Sequence, residues 1–203
     1  MELFVDDLAV ARDGEPVFAG VSFSLTGGDA LVVRGTNGAG KSTLLRALAG
    51  LLPFTGTVRF TGDEEFADVP MAEALHLLGH ENALKPTLPL AENLAFWRAT
   101  FGHPHLEPEE ALEMVGLGGL GAVPFAHLST GQRRRAAIAR LLVSWRPLWL
   151  LDEPTAGLDG ASEAQFSALM AAHREDGGMV IAATHVPLDL AGASVLDMDA
   201  LAR

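Results

Sequence analysis

Hydrophobic and polar positions alternate along the first part of the chain. Residues 3–10 and 17–25 switch between apolar and polar side chains and carry Gly14 and Gly20, a pattern typical of short strands joined by turns. Residues 57–60 repeat the pattern. The sequence therefore predicts an N-terminal antiparallel β subdomain.

After residue 30 the pattern changes to apolar strands that alternate with helices. The strands are predicted at residues 30–33, 148–151 and 179–182, and the helices at residues 42–51 and 161–173. Strands that alternate with helices imply a mostly parallel core sheet that binds its ligand at the strand ends. The predicted fold class is therefore α/β.

The middle of the chain has a different character. Residues 71–125 are predicted to be mainly helical, with breaks at prolines and in a glycine-rich run. At 203 residues the chain fits one domain. We expect residues 1–70 and 126–203 to form its core and residues 71–125 to be a helical insertion.

Charge and composition exclude several classes of protein. The net charge is −12, and the basic residues do not gather into the stripe expected of a nucleic-acid binder. We interpret the densest cluster, Arg133-Arg134-Arg135, as a solvated helix face rather than a phosphate-binding patch. There is no cysteine, which excludes disulfides and thiolate chemistry.

Neither a signal peptide nor a membrane span is expected. The first seven residues include three acidic ones and lack a basic start followed by a long apolar run. Apolar stretches such as residues 148–151 are far shorter than the ~20 residues that cross a bilayer. Direct membrane insertion is therefore not predicted.

A phosphate-binding motif lies between the predicted strand at 30–33 and the helix that follows. Glycines let the loop's N–H groups point at phosphate oxygens, and the helix adds the positive end of its dipole. Lys41 would contact the β- and γ-phosphates, and the Ser42 hydroxyl would bind Mg²⁺. The nucleotide-binding candidates are Gly35, Thr36, Asn37, Gly38, Ala39, Gly40, Lys41, Ser42 and Thr43.

A pair of acidic residues supplies the second half of the predicted site. Asp152 ends an apolar strand, which would place its carboxylate beside the phosphates to hold Mg²⁺. Glu153 follows directly and would orient or deprotonate the attacking water. The sequence thus predicts a nucleotide hydrolase that uses ATP and Mg²⁺.

A Leu-Ser-Thr-Gly-Gln motif at residues 128–132 resembles the signature of ATP-binding-cassette (ABC) ATPases. In that family the serine and glycine cap the γ-phosphate held by the opposite protomer, which implies a second copy of this chain. Ser129, Gly131 and Gln132 are the corresponding candidates. A helix N-cap is the structural alternative for Ser129. His185, which follows a predicted strand, resembles the family's switch histidine at the γ-phosphate.

Two positions depart from the family pattern. Where most ABC domains stack an aromatic ring on adenine, this chain has Arg12, whose guanidinium can also stack on a base; an exposed turn arginine is the alternative. Where the family has a glutamine that senses Mg²⁺ and water, this chain has His80. Its imidazole can bond to that water or approach the metal, and a core histidine is the alternative.

The context of Gly79-His80, the residues around Lys85 and the short length resemble the ATP-binding subunit family of the bacterial haem exporter used in cytochrome c maturation. The resemblance implies an integral membrane transporter subunit as partner, at the cytoplasmic face of the bacterial inner membrane. Phe96, Trp97 and Phe101 would form the groove for that partner or an ordinary helix core. Another small ABC importer or exporter is the alternative, ahead of an ABC ATPase acting on DNA or ribosomes.

Overall fold

The computed structural model describes residues 1–67, 69–188 and 190–201, which contain eight strands and five α-helices. The strands are β1 (Glu2–Arg12), β2 (Glu15–Thr26), β3 (Ala30–Arg34), β4 (Thr55–Thr61), β5 (Leu75–Leu78), β6 (Leu148–Asp152), β7 (Met179–Ala183) and β8 (Ser194–Asp197). The helices are α1 (Lys41–Leu48), α2 (Leu90–Phe101), α3 (Pro108–Met114), α4 (Thr130–Leu142) and α5 (Gly160–Glu175). None of the helices in these ranges is long and apolar enough to cross a bilayer.

The chain divides into two units. The first comprises Met1–Leu77, Pro147–Pro154 and Met170–Arg203, and it holds both sheets apart from the last residue of β5. The second comprises Leu78–Arg146 and Thr155–Leu169, and apart from that residue of β5 its secondary-structure elements are all helices.

The antiparallel sheet forms as the alternation predicts. β1 pairs antiparallel with both β2 and β4, so the strand order is β2-β1-β4. Along β1, Leu3, Val5, Leu8 and Val10 are buried and join the apolar core of the first unit. One face of this sheet is therefore committed to the core, as expected for a half-buried antiparallel sheet.

The second sheet has the order β5-β6-β7-β3-β8. β7 runs parallel to both β3 and β6, and β3 also pairs parallel with β8. Every residue of β6 and β7 is buried, as is expected of parallel strands covered on both faces. The α/β core predicted from the sequence is confirmed.

The segment predicted as mainly helical begins differently. Leu75–Leu78 is a strand at the end of the parallel sheet, and the helices α2 and α3 come only after it. Four largely apolar residues carry no readable period, so the neighbouring strand β6 rather than local pattern decides their conformation. The prediction was wrong for these residues, and β8 was also missed.

Asn93 organises the loop before α2. Its side chain is buried and accepts a hydrogen bond from the Lys85 N–H at 2.7 Å. Its amide donates to the carbonyls of Lys85 and Leu88, both at 3.1 Å, and of Pro89 at 3.2 Å. One side chain therefore satisfies four backbone groups in a segment that has no ladder of its own.

We expect Asn93→Ala to lower the free energy of unfolding by roughly 1–3 kcal/mol, because the Lys85 N–H loses its acceptor and three carbonyls lose one of their donors. Urea denaturation of the full chain followed by circular dichroism measures this. Glu92→Ala, on the exposed neighbouring position of the same helix, is the matched control and should change little. Equal stabilities of the two variants would contradict the assignment.

Candidate active site

The phosphate loop joins β3 to α1 through residues with left-handed backbone. Gly38 and Gly40 have φ of +91° and +97°, a region that favours glycine. At Gly40 a side chain would also meet Phe18 at 3.0 Å and Val17 at 3.1 Å. The backbone conformation thus favours glycine at both positions, and the packing beneath the loop adds a second reason at Gly40.

Lys41, the first residue of α1, folds back over the loop. Its ammonium donates hydrogen bonds to the carbonyl oxygens of Gly35 at 2.7 Å and Thr36 at 3.0 Å. The side chain is largely buried, so a positive charge is fixed at the mouth of the loop. An anion such as a phosphate is therefore favoured there.

Ser42 and Asp152 meet as the sequence predicts, although 110 residues separate them. The Ser42 hydroxyl donates to Asp152 Oδ1 at 3.0 Å, and Asp152 is 4% exposed. Hydroxyl and carboxylate oxygens are ligands that Mg²⁺ prefers, usually alongside substrate phosphates. The described residues contain no group of three or more His, Asp or Glu able to hold a metal by themselves. This pair fits a metal that is shared with a nucleotide.

Glu153 leaves the sheet with an unusual backbone. Its φ is +45°, and its N–H donates to the Ala183 carbonyl at 2.8 Å. Since Asp152 is in register with Ala183, this bond extends the pairing of β6 and β7 by one residue. The turn directs Glu153 away from the strand path while its backbone stays anchored.

Glu153 and His185 form a pair at the ends of these two strands. The distance from His185 Nδ1 to Glu153 Oε1 is 2.8 Å. Because an ionised carboxylate can only accept, the imidazole carries a proton on Nδ1 in this bond. The glutamate is 15% exposed and the histidine 56%, so the pair opens to solvent on the histidine side.

The structure adds one residue that sequence reasoning missed. The Asp199 carboxylate accepts hydrogen bonds from the backbone and the hydroxyl of Thr36 in the phosphate loop. The two residues are 163 positions apart, and no spacing motif joins them. The pairing of β3 with β8 brings them together.

Ser129 is the N-cap of α4 in the second unit. Its Oγ accepts from the Gln132 N–H at 3.3 Å, and Gln132 Oε1 accepts from the Ser129 N–H at 2.9 Å. This reciprocal capping box is the structural alternative weighed for Ser129. A side chain at Gly131 would meet the Gly157 carbonyl at 3.3 Å. Ser129 is exposed, so it can cap α4 and still be reached by an anion.

The three consecutive arginines after this cap are not the solvated face that was predicted. Arg133 donates to the Ala126 carbonyl at 2.6 Å, and Arg135 to the Gly116 carbonyl at 2.9 Å. Arg134 is 7% exposed and donates to the Gly79 carbonyl at 2.8 Å. The prediction was wrong because long side chains can cross to distant carbonyls, which a charge run does not reveal.

His80 is exposed rather than part of a core. It follows β5 and lines a groove of about 520 Å³ in the second unit. Phe96 and Trp97 also line the groove, whereas Phe101 packs against Trp97 with ring centroids 4.7 Å apart. Arg134 binds the carbonyl of Gly79, so the signature helix α4 is tied to the residue next to His80.

Arg12 lies at the end of β1 in the first unit, and its side chain is exposed. Its guanidinium Nε is 3.9 Å from the Asp13 carboxylate, a surface contact of little energetic weight. This geometry fits the exposed-turn alternative and leaves the guanidinium plane accessible. Adenine stacking by Arg12 therefore stays a prediction.

Comparison with known proteins identifies the family. The ABC transporter family profile matches residues 18–156. The chain is 58% identical to the cytochrome c biogenesis ATP-binding export protein CcmA of Chelativorans sp., over 98% of this chain and 99% of the relative. It is 52% identical to the protein of that name from Brucella abortus, over 100% of this chain and 94% of the relative.

Solved structures agree at the level of the fold. A putative ABC transporter ATP-binding protein from Pyrococcus furiosus superposes with a TM-score of 0.85 at 22% identity, covering 100% of both chains. A bacterial Atm1-family ABC exporter with ATP bound gives a TM-score of 0.81 at 23% identity, over 97% of this chain and 36% of the exporter. The chain therefore belongs to the ABC transporter ATPase family, and within it to the CcmA group of cytochrome c biogenesis ATP-binding export proteins.

Proposed function

We propose that this chain is the ATP-hydrolysing subunit of a membrane export complex that serves cytochrome c biogenesis at the cytoplasmic face of the bacterial inner membrane. The observation that supports the ATPase activity is that Ser42 of α1 bonds to Asp152, and Glu153 to His185, where the adjacent strands β6 and β7 end. The near full-length identity to CcmA proteins supports the export role. Within that role, we favour haem export or the release of a haem-carrying chaperone as the process that ATP hydrolysis drives.

Phosphate binding starts from the loop and α1. The loop's backbone N–H groups and the N-terminus of α1 present partial positive charge to the β- and γ-phosphates. Lys41 Nζ has three N–H donors, of which two bond to the Gly35 and Thr36 carbonyls and the third would bond to a phosphate oxygen. The ammonium is already largely buried at the loop, so little further ordering of its side chain is needed.

Mg²⁺ would be held by Ser42 and by Asp152, directly or through water, and would neutralise charge on the phosphate oxygens. Asp152 is nearly inaccessible and fixed at the end of β6, so its position does not depend on the metal. Ser42 keeps the Asp152 carboxylate oriented through its hydroxyl.

Glu153 acts on the water that attacks the γ-phosphate. Its carboxylate accepts a proton from that water as a general base, or orients it for in-line attack. His185 holds this carboxylate through Nδ1. When both ring nitrogens carry a proton, Nε2 would donate to an oxygen of the γ-phosphate. A histidine in contact with both groups links the arrival of the phosphate to the orientation of the base.

The functional unit in this proposal is a dimer of two identical chains. Ser129 and Gly131 of one copy would contact the γ-phosphate bound by the Lys41 loop of the other. A capped helix N-terminus suits this role because its N–H groups and dipole favour an anion. Gln132 supports the arrangement by completing the cap.

The membrane subunit is proposed to dock in the groove beside His80. Phe96 is 49% exposed there, and Lys85 lies over its ring at 5.4 Å. A partner segment in the groove would contact residues next to Gly79, whose carbonyl binds Arg134 of α4. The hydrogen bond between Arg134 and Gly79 is therefore one connection between docking and the signature helix α4. The role of His80 at the Mg²⁺ site stays a prediction.

Glu153→Gln should retain ATP binding, lower kcat by about 100-fold or more, and trap the dimer in the presence of ATP, because the amide cannot accept the proton. Phosphate release and size-exclusion chromatography with ATP measure the two effects. Glu175→Gln, an exposed glutamate of the first unit, is the matched control and should behave as wild type. Full-rate hydrolysis by a monomer would refute the proposed mechanism.

Mixing two inactive variants tests whether the signature acts in trans. Ser129→Asp keeps a good N-cap but adds a negative charge facing the phosphate, so it should abolish hydrolysis. Lys41→Ala should also be inactive. Together they should regain activity, because a mixed dimer has one site with an intact loop and an intact signature.

Ser129→Asn is the control for the cap, since it preserves the capping oxygen without the charge and should keep most of the activity. The ATPase rate of refolded or co-expressed mixtures is the readout. Mixed dimers that form but remain inactive would show that the signature does not complete the partner's site.

Phe96→Ser should weaken binding of the membrane subunit by roughly 30-fold, since an exposed aromatic anchor of an interface contributes about 2 kcal/mol. Co-purification of the tagged chain with its membrane partner measures this. Met114→Ser, which also removes an exposed apolar side chain of the second unit but lies outside the groove, is the control. Equal recovery of the partner with both variants would exclude the groove.

A further inference from the structure

The end of β8 packs against the first residues of the phosphate loop. β8 pairs in parallel with β3, and the Met198 N–H donates to the Arg34 carbonyl at 2.8 Å. At Gly35 a side chain would meet Met198 Cβ at 3.2 Å and Asp199 Oδ1 at 3.3 Å. The loop therefore starts in contact with the residues that follow β8.

Asp199 binds every donor that Thr36 offers. The Thr36 N–H lies 2.9 Å from Oδ1 and 3.0 Å from Oδ2, and the Thr36 hydroxyl donates to Oδ1 at 2.8 Å. The backbone bond from Thr36, then its side-chain bond, and to a smaller extent the charge of Lys41 hold the pKa of Asp199 below its usual value. The carboxylate is thus ionised and matched to these donors.

Thr36 connects this carboxylate to Lys41. Its carbonyl oxygen accepts from Lys41 Nζ at 3.0 Å, while its N–H and hydroxyl are bound by Asp199. Because Asp199 accepts the Thr36 N–H, the N–H groups later in the loop are the ones that would bind the phosphates. We propose that Asp199 is a positioning residue for nucleotide binding, which fixes Thr36 and through it the carbonyl that orients Lys41.

The termination of β8 does not require this side chain. The Asp199 N–H donates to Asp197 Oδ1 at 3.0 Å, and the Met198 N–H already continues the pairing with β3. Both contacts use backbone groups of residues 198 and 199. The Asp199 carboxylate is therefore directed to the loop and not to its own strand.

The test rests on the proposed nucleotide binding by the same loop. Asp199→Ala should weaken Mg·ADP binding to the full chain about tenfold. A change of this size corresponds to the lower limit of what one hydrogen bond to a charged group contributes. The KM for ATP should rise by a similar factor while kcat stays within a factor of about two, because the loss concerns binding common to ground and transition states. Isothermal titration calorimetry and steady-state ATPase assays give these values.

Two amide variants separate hydrogen bonding from charge. Asp199→Asn keeps an oxygen at the Oδ1 position, which accepts from both Thr36 donors, so it should retain most of the affinity. Asp197→Asn removes the same charge two positions earlier and keeps the acceptor for the Asp199 N–H, so it should bind as wild type. If Asp197→Asn lowers the affinity for Mg·ADP as much as Asp199→Ala does, the effect comes from the loss of negative charge alone. That result would overturn the proposal.

Thr36→Val is a second test of the contact between Thr36 and Asp199, and it leaves Asp199 unchanged. It removes the hydroxyl donor, and its effect on Mg·ADP affinity should be non-additive with Asp199→Ala in the double variant. Wild-type affinity in a folded Asp199→Ala protein, or strict additivity in the double variant, would overturn the inference alone. Failure of the wild-type chain to bind Mg·ADP would overturn the proposed function together with it.

Discussion

The register of three parallel strands determines where the chemistry of this protein takes place. Val33 and Asp152 both lie opposite Ala183, one on each side of β7. The residues after these positions therefore leave the sheet at the same edge, although they come from three distant parts of the chain. Since a shift of one residue would turn each side chain to the other face, the apolar contacts of β6 and β7 also fix the candidate catalytic groups.

The candidate site could be predicted from the sequence where its residues form a local motif. The phosphate loop must curl, and glycines with left-handed φ at Gly38 and Gly40 leave a readable motif. Asp152 and Glu153 could also be predicted, because this carboxylate pair ends an apolar strand in a chain that carries a phosphate-binding motif. The parallel core followed from the same alternation of strands and helices, and the contacts of Ser42 and His185 were consequences of it.

Long-range contacts account for what sequence reasoning missed. Arg134 reaches the carbonyl of Gly79 across 55 positions, and Asp199 reaches Thr36 across 163. Neither interaction leaves a spacing that a single sequence can reveal. β5 was missed for a related reason, since four residues are too few to show a period and its conformation depends on β6. In each case the contact or the conformation depends on a partner that is distant in the sequence.

The left-handed backbone of Glu153 has a consequence for the evolution of the fold. A non-glycine residue in this region costs roughly 1–2 kcal/mol, and Gly or Asn would adopt the same φ more easily. In the proposed mechanism, selection for activity and selection for stability therefore oppose each other at this position. In a descendant whose nucleotide site is no longer needed for turnover, replacement of Glu153 by Gly or Asn would relieve strain. A small residue there would mark a cassette that has kept its fold after losing its hydrolytic function.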